Sequence, residues 1–98
     1  MESRINPSAT YLCNPDVVLR EEDEDGGLLF NPDTNQVKVL NITGLFIWKR
    51  FESPNRIGAV VETLSQEFEE VPAGEVESDV TEFLSGMIAD GFIGILEQ

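Results

Sequence analysis

The sequence contains no histidine and only one cysteine, Cys13, among its 98 residues. Catalytic triads and metal sites that use histidine are therefore excluded. A single thiol cannot form an internal disulfide or a four-cysteine zinc site. No apolar run approaches the roughly 20 residues that a membrane-spanning helix needs, and the N-terminal residues lack the basic and apolar regions of a signal peptide. We expect a cytoplasmic chain of a length that suits one domain.

Basic residues are also scarce. Six Lys and Arg stand against nineteen Asp and Glu, which gives a net charge of −13. All six bases lie within residues 1–56, whereas residues 57–98 contain ten acidic residues and no base. Proteins bind phosphate backbones through cationic side chains, so the second half of the chain is unsuited to nucleic acid. We expect neither nucleic acid nor a membrane as a partner.

The first half of the chain has the pattern of three short strands. Residues 1–13 show no periodicity and are predicted to be a flexible tail, with the domain spanning residues 14–98. β-branched and apolar residues predict strands over residues 16–21, 28–30 and 36–40. An acidic Gly-Gly turn and an Asn-Pro-Asp-Thr-Asn turn separate them. Strands joined by such tight turns are expected to form an antiparallel meander.

Helical periodicity takes over after the third predicted strand. Asn41 is a suitable N-cap for a helix over residues 42–51. A second helix over residues 57–68, capped by Ser53 or Asn55, and a third from Val76 to about residue 90 follow from apolar spacings of three and four. Residues 92–96 are expected to pack back on the core as a short strand. The prediction is an α+β fold that resembles a winged helix, with a three-stranded antiparallel meander followed by three helices.

Several motifs that could support metal binding or catalysis are better explained as ordinary structural features. Residues 21–26 resemble the start of a calcium loop, but the twelfth position, which needs a bidentate carboxylate, is Pro32. Cys13 has acidic neighbours, which raise a thiol pKa and suppress the thiolate. The many carboxylates could in principle serve a hydrolase or lyase, but short turns leave little room for a cleft. We therefore predict no metal, no cofactor and no catalytic residues.

Two binding functions remain for such a fold. A winged-helix outline is typical of DNA-binding regulators. In this chain, however, the would-be recognition helix and its ends carry five acidic residues and no base, namely Glu75, Glu77, Asp79, Glu82 and Asp90. The other function uses the meander, in which the third predicted strand is an edge with unpaired backbone groups. An extended peptide can add to such an edge.

The ordered motifs of this chain resemble the PqqD-like family, whose namesake acts in pyrroloquinoline quinone biosynthesis. The resemblance rests on Asn-Pro-Asp-Val-Val-Leu-Arg at residues 14–20, Leu-Phe-Asn-Pro-Asp-Thr at 29–34 and Leu-Asn-Ile-Thr-Gly at 40–44 with Ile-Trp at 47–48. Leu64 with Phe68, residues 79–84 and the closing Gly-Phe-Ile at 91–93 also fit. It covers about residues 14–96.

The resemblance implies a precursor-peptide recognition element for ribosomally made peptides. It implies that a leader peptide adds beside the third predicted strand, in a groove completed by residues 76–87, and is delivered to a modifying enzyme such as a radical-SAM protein. Asn41, Thr43, Gly44 and Trp48 would be structural. The peptide-binding residues implied in this way are Gln36, Val37, Lys38, Val39, Leu40, Val76, Asp79, Val80, Phe83 and Met87.

The acidic residues of the third predicted helix lead to an expectation about the peptide. Glu75, Asp79 and Glu82 should form an acidic wall of the groove, opposite Lys38 on the strand. We expect a leader with one or two apolar anchors and at least one Lys or Arg near this helix, bound more weakly at high salt. The sequence leaves the oligomeric state open, because a strand edge or residues 92–96 could serve a homodimer.

Overall fold

The computed structural model describes residues 8–22 and 26–96, and this part of the chain forms two small antiparallel sheets and three helices. The strands are Thr10–Cys13 (β1), Val18–Glu21 (β2), Gly27–Asn31 (β3), Gln36–Leu40 (β4), Asn55–Arg56 (β5) and Ile93–Leu96 (β6). The helices are Ile42–Arg50 (α1), Ile57–Glu67 (α2) and Ala73–Ala89 (α3). The predicted α+β class and the predicted order of meander before helices are confirmed.

The predicted meander is the sheet β2-β3-β4. β3 pairs with β4 from Asn31↔Gln36 at the turn to Gly27↔Leu40 at the far end. The turn is closed by Asn31, whose side-chain oxygen accepts from the backbone N–H of Asp33 at 3.0 Å. Asn35 adopts a φ of 60° there, a conformation that asparagine tolerates. Residues 23–25 of the acidic turn before β3 lie outside the described residues. They belong to the segment 21–26 that resembles the start of a calcium loop.

A second sheet, with the order β5-β1-β6, corrects the predicted tail. Residues 10–13 are not a tail but the central strand of this sheet, with Tyr11 fully buried and Cys13 nearly so. β1 pairs with β6 from Thr10↔Leu96 to Cys13↔Ile93, which confirms the expected short strand near the C-terminus. The first seven residues of the predicted tail lie outside the described residues. A four-residue strand whose partner β6 lies 80 to 86 positions away in the sequence leaves no local pattern.

The helices begin and end close to their predicted positions, with two differences at the caps. The Asn41 side chain accepts from the Gly44 N–H at 2.7 Å, as predicted for a helix N-cap. α2 begins after Arg56 and has no side-chain cap, so the expected cap at Ser53 or Asn55 is wrong. The Asn55 side chain instead donates to the carbonyl of Arg50 at 2.6 Å. α3 begins at Ala73, three residues earlier than predicted.

One hydrophobic core joins both sheets to all three helices. Its completely buried side chains come from β1, β3, α3 and the segments that follow α1 and α3, namely Tyr11, Leu29, Phe51, Val80, Leu84 and Phe92. Burial of such large apolar side chains is the main stabilising contribution to a domain of this size. None of the helices in the described part of the chain has the length and hydropathy required to cross a membrane.

Candidate functional site

β4 forms one edge of the meander sheet. β3 is its only strand neighbour among the described residues. The backbone N–H and C=O groups on the far side of an edge strand lack ladder partners. Period-two alternation turns Leu40 and the half-buried Lys38 towards the helices, whereas Val37 and Val39 are 59% and 80% exposed. The edge predicted from the sequence is therefore present.

A groove of about 860 Å³ separates this edge from α3. β4 and the start of α1 line one side. α3 lines the other side with residues spaced by three and four, so that they share one helical face: Asp79, Glu82, Phe83, Gly86 and Met87. This spacing explains why α3 presents a continuous wall to the strand.

The floor of the groove is apolar. Leu40, Ile47 and Met87 are each at least 95% buried yet border the groove. Gly44 brings α1 close to α3, since a Cβ at this position would lie in van der Waals contact with the Phe83 ring, at 3.5 Å. A visiting side chain would therefore meet hydrocarbon at the bottom of the groove and polar groups only at its rim.

The charges of the groove are distributed unevenly. At one end, Lys38 Nζ lies 2.6 Å from Asp90 Oδ2 and 5.5 Å from the centre of the Phe92 ring. Hydrogen bonding to Lys38 lowers the pKa of Asp90, with a further contribution from a hydrogen bond to Gln36. At the other end, Asp79 and Glu82 line the wall and take part in none of the ion pairs found among the described residues. The net charge offered to a ligand is negative.

The predicted site residues divide into three groups. Those that line the groove are Lys38, Val39, Leu40, Asp79, Phe83 and Met87. Gln36 and Val37 belong to β4 but do not line the groove.

Two predicted contact residues belong to the core. Val76 and Val80, which were expected to contact a peptide, are 3% and 0% exposed and do not reach the groove. A helix buries an apolar stripe of about 100°, and in α3 these two valines face the core while the neighbouring face turns to the strand.

The sequence interpretation did not assign several lining residues to the site. Asn41, Thr43 and Gly44, interpreted as structural, border the groove as well, together with Ile47. Glu82 was expected in the acidic wall and lies there, whereas Glu75, which was expected in the same wall, does not line the groove. Gly86 was missed, although its spacing of three from Phe83 places it on the same helical face.

The remaining reactive groups are the thiol of Cys13 and the acidic side chains outside the groove. Burial, with a smaller contribution from Glu52, raises the pKa of Cys13 to about 12. The sequence had indicated acidic neighbours as the cause, whereas desolvation dominates. Within residues 8–22 and 26–96, no cluster of acidic or cysteine side chains has an arrangement suited to a metal ion.

A family model described as Coenzyme PQQ synthesis protein D (PqqD) matches residues 26–93, which is more than half of the chain. The chain belongs to the PqqD family. The match begins at the turn before β3 and ends at the first residue of β6, so it includes both walls of the groove. A comparison with curated proteins finds no match.

Solved structures with the PqqD fold are similar over nearly the whole chain. The PqqD truncation of Methylobacterium extorquens PqqCD, a stand-alone recognition element for ribosomally synthesised and modified peptides, has a TM-score of 0.76 at 16% identity and covers 94% of this chain and 96% of its own. TbiB1 in complex with the TbiA(beta) leader peptide has a TM-score of 0.77 at 23% identity, covering 89% and 99%.

A third solved structure has the same fold. Lasso peptide synthetase B1, complexed with its leader peptide, has a TM-score of 0.73 at 20% identity and covers 86% of this chain and 96% of its own. At these identities the three likenesses establish that this chain shares their fold.

Proposed function

We propose that this chain is a non-catalytic recognition domain that binds the leader segment of a ribosomally made precursor peptide. The leader adds as a strand beside β4, and its side chains enter the groove that faces α3. The domain then presents the precursor to a modifying enzyme, of the radical-SAM type. The observation that carries this proposal is the free edge of β4 standing across a groove from α3.

The edge and the groove supply two separate contributions to binding. An added strand forms main-chain hydrogen bonds with β4, which provide affinity without regard to sequence. Alternate side chains of the added strand point into the groove, where the floor of Leu40, Ile47 and Met87 can bury apolar groups. Specificity would therefore come from the residues on α3 and affinity from the backbone of β4.

The similar structures support this proposal. TbiB1 and lasso peptide synthetase B1 were each solved with a leader peptide, and the Methylobacterium extorquens domain functions as a stand-alone recognition element. Each of these chains is covered to at least 96% by the match, so the likeness concerns the whole domain. The delivery of a leader to an enzyme comes to this chain by that likeness.

DNA binding is disfavoured by the charge of α3. The helix carries Glu75, Glu77, Asp79 and Glu82 and no base, and no Lys or Arg follows Arg56 in the sequence. Neutralisation of phosphates by cationic side chains, which drives most protein–DNA affinity, is not available on this face. A specific gel shift at physiological salt would overturn this conclusion.

An amide NMR titration with synthetic leader peptides tests the proposal. We expect chemical-shift changes concentrated in β4 and along the groove face of α3. β2 is the opposite edge of the same sheet and provides an internal control, since β3 is its only strand neighbour in the described part of the chain and β2 does not line the groove. Changes centred on β2 or on the β5-β1-β6 sheet would contradict the proposal.

The partnership with an enzyme needs its own measurement. A modifying enzyme supplied with its precursor peptide should turn over faster when this domain is added, whereas the domain alone should leave the precursor unchanged. A homodimer through the β4 edge would place a second copy where the leader binds. In that case the apparent peptide affinity would fall as the protein concentration rises.

A further inference from the structure

The wall that α3 presents to the groove contains a gap at Gly86. A Cβ added to Gly86 would have no heavy atom within 4 Å, so no neighbour within the described chain requires glycine there. Glycine in a helix is destabilising relative to alanine, and Gly86 lies in the last turn of α3. Phe83 and Met87 flank the gap on the groove side. The Cβ position of Gly86 therefore faces open space in the groove.

Glu82 lies one helical turn from this gap. Four residues of an α-helix advance about 6 Å along its axis. In an extended peptide, residues i and i+2 point to the same side and lie about 6.6 Å apart. A peptide strand that runs along α3 can therefore place one side chain over Gly86 and the next side chain of the same face beside Glu82. Asp79 lies a further turn along the same helical face.

The carboxylates at this end of the groove have no cationic partner among residues 8–22 and 26–96. Lys38, the one base among the described residues that line the groove, is already paired with Asp90 at the opposite end. The positions of the contacts orient the groove: Asp90 lies against β4 at Lys38, whereas Phe83 lies against Gly44 at the start of α1. Asp79 and Glu82 thus lie towards the α1 end, where the described residues offer them no ion-pair partner.

We propose that the groove selects peptide segments in which a large apolar residue and a Lys or Arg are separated by one residue. The apolar side chain fills the gap over Gly86, and the cationic side chain lies between Asp79 and Glu82. This inference rests on the proposed function, since it specifies the leader that the β4 edge receives. It makes Gly86 and Glu82 the residues that determine specificity.

Selection from a displayed library of random short peptides tests the inference and does not require the natural leader. We expect enrichment of a large apolar residue spaced by two from Lys or Arg. A synthetic peptide from this pool should lose about fivefold in affinity for Glu82→Lys, in line with exposed ion pairs. Changing the peptide cation to Glu should restore binding to Glu82→Lys. Glu77→Lys is the matched control, because Glu77 lies on α3 outside the groove.

The gap is tested with the same peptide. Gly86→Ala places a methyl group where the apolar side chain would lie, and we expect about tenfold weaker binding of the peptide with a large residue. A peptide with Ala at that position should bind both proteins equally. Gly74→Ala, a second position on α3 with open space around its Cβ, should leave both affinities unchanged. An equal response to Gly86→Ala and Gly74→Ala would overturn the assignment.

The outcomes separate this inference from the function on which it rests. Enriched peptides that shift the amides of β4 but lack the apolar–x–cation pattern would overturn the inference and leave leader binding intact. Enriched peptides that shift other amides, or a selection that yields no binder, would overturn both. Charge-reversal rescue at Glu82 together with shifts in β4 supports both.

Discussion

The thiol of Cys13 reports directly on whether β1 is part of the folded domain. Its Sγ lies 3.4 Å from the carbonyl oxygen of Trp48, and its backbone N–H donates to the carbonyl of Phe51 at 2.8 Å. Burial raises the pKa from 9.0 to about 12. At pH 8 this shift lowers the thiolate population about a thousandfold relative to an unperturbed thiol, and the thiolate is the reactive form.

The expected result is slow labelling in the native protein and fast labelling in urea. A thiol reagent such as Ellman's reagent at pH 8 should modify native Cys13 at least about a thousandfold more slowly than the unfolded chain. Labelling through transient unfolding sets a similar limit on the rate in the native protein. A stability of about 5 kcal/mol leaves about 10⁻⁴ of the molecules unfolded at any time. Cys13 is the single cysteine, so the signal comes from one site.

Native labelling within about tenfold of the unfolded rate would refute this reasoning. It would mean that residues 10–13 spend much of their time detached from β6, as the flexible tail inferred from the sequence would do. A short peptide that contains the same Thr-Tyr-Leu-Cys segment supplies the reference rate for an accessible thiol.

Three further changes test other parts of the structure. Gly26→Ala should destabilise the fold by about 2 kcal/mol in urea unfolding, because Gly26 has a φ of 116° and its Cβ would lie 2.8 Å from the Asn41 carbonyl carbon. Gly58→Ala is the control and should not destabilise the fold, because a Cβ at Gly58 would lie in open space. Asn31→Ala should cost about 1–2 kcal/mol, since the buried amide joins the turn to Gly91 at 3.4 Å. The pKa of Asp90 is lowered by its hydrogen bond to Lys38. Its contribution to stability is therefore present above the unfolded-state pKa and is lost as the pH falls through the folded-state pKa. Lys38→Met should remove this contribution to the acid dependence of urea unfolding curves.

Local sequence patterns predicted the strands and helices whose formation depends on neighbouring residues. The strand over Gln36–Leu40, the Asn41 cap and the amphipathic helices depend on nearby residues, and their predicted bounds agree with the structure to within three residues. β1 has only four residues and depends on pairing with Ile93–Leu96 at the other end of the chain. Sequence periodicity does not indicate which distant segment a strand pairs with.

The site shows the same division between local and non-local information. The edge strand and the acidic residues of α3 were recognisable from the sequence. Which side of α3 meets the strand was not, because Val80 and Phe83 both belong to its apolar stripe although one faces the core and the other the groove. The role proposed for Gly86 in specificity depends on the open space around its Cβ position, which the sequence does not reveal.

Backbone hydrogen exchange tests strand addition to β4 most directly. A bound strand gives partners to the outward-facing N–H groups of an edge, which belong to every second residue of the strand. With a saturating leader peptide, exchange should slow at alternate residues of Gln36–Leu40 and stay unchanged in β2. Uniform exchange throughout β4, unaffected by a peptide that is demonstrably bound, would contradict the account.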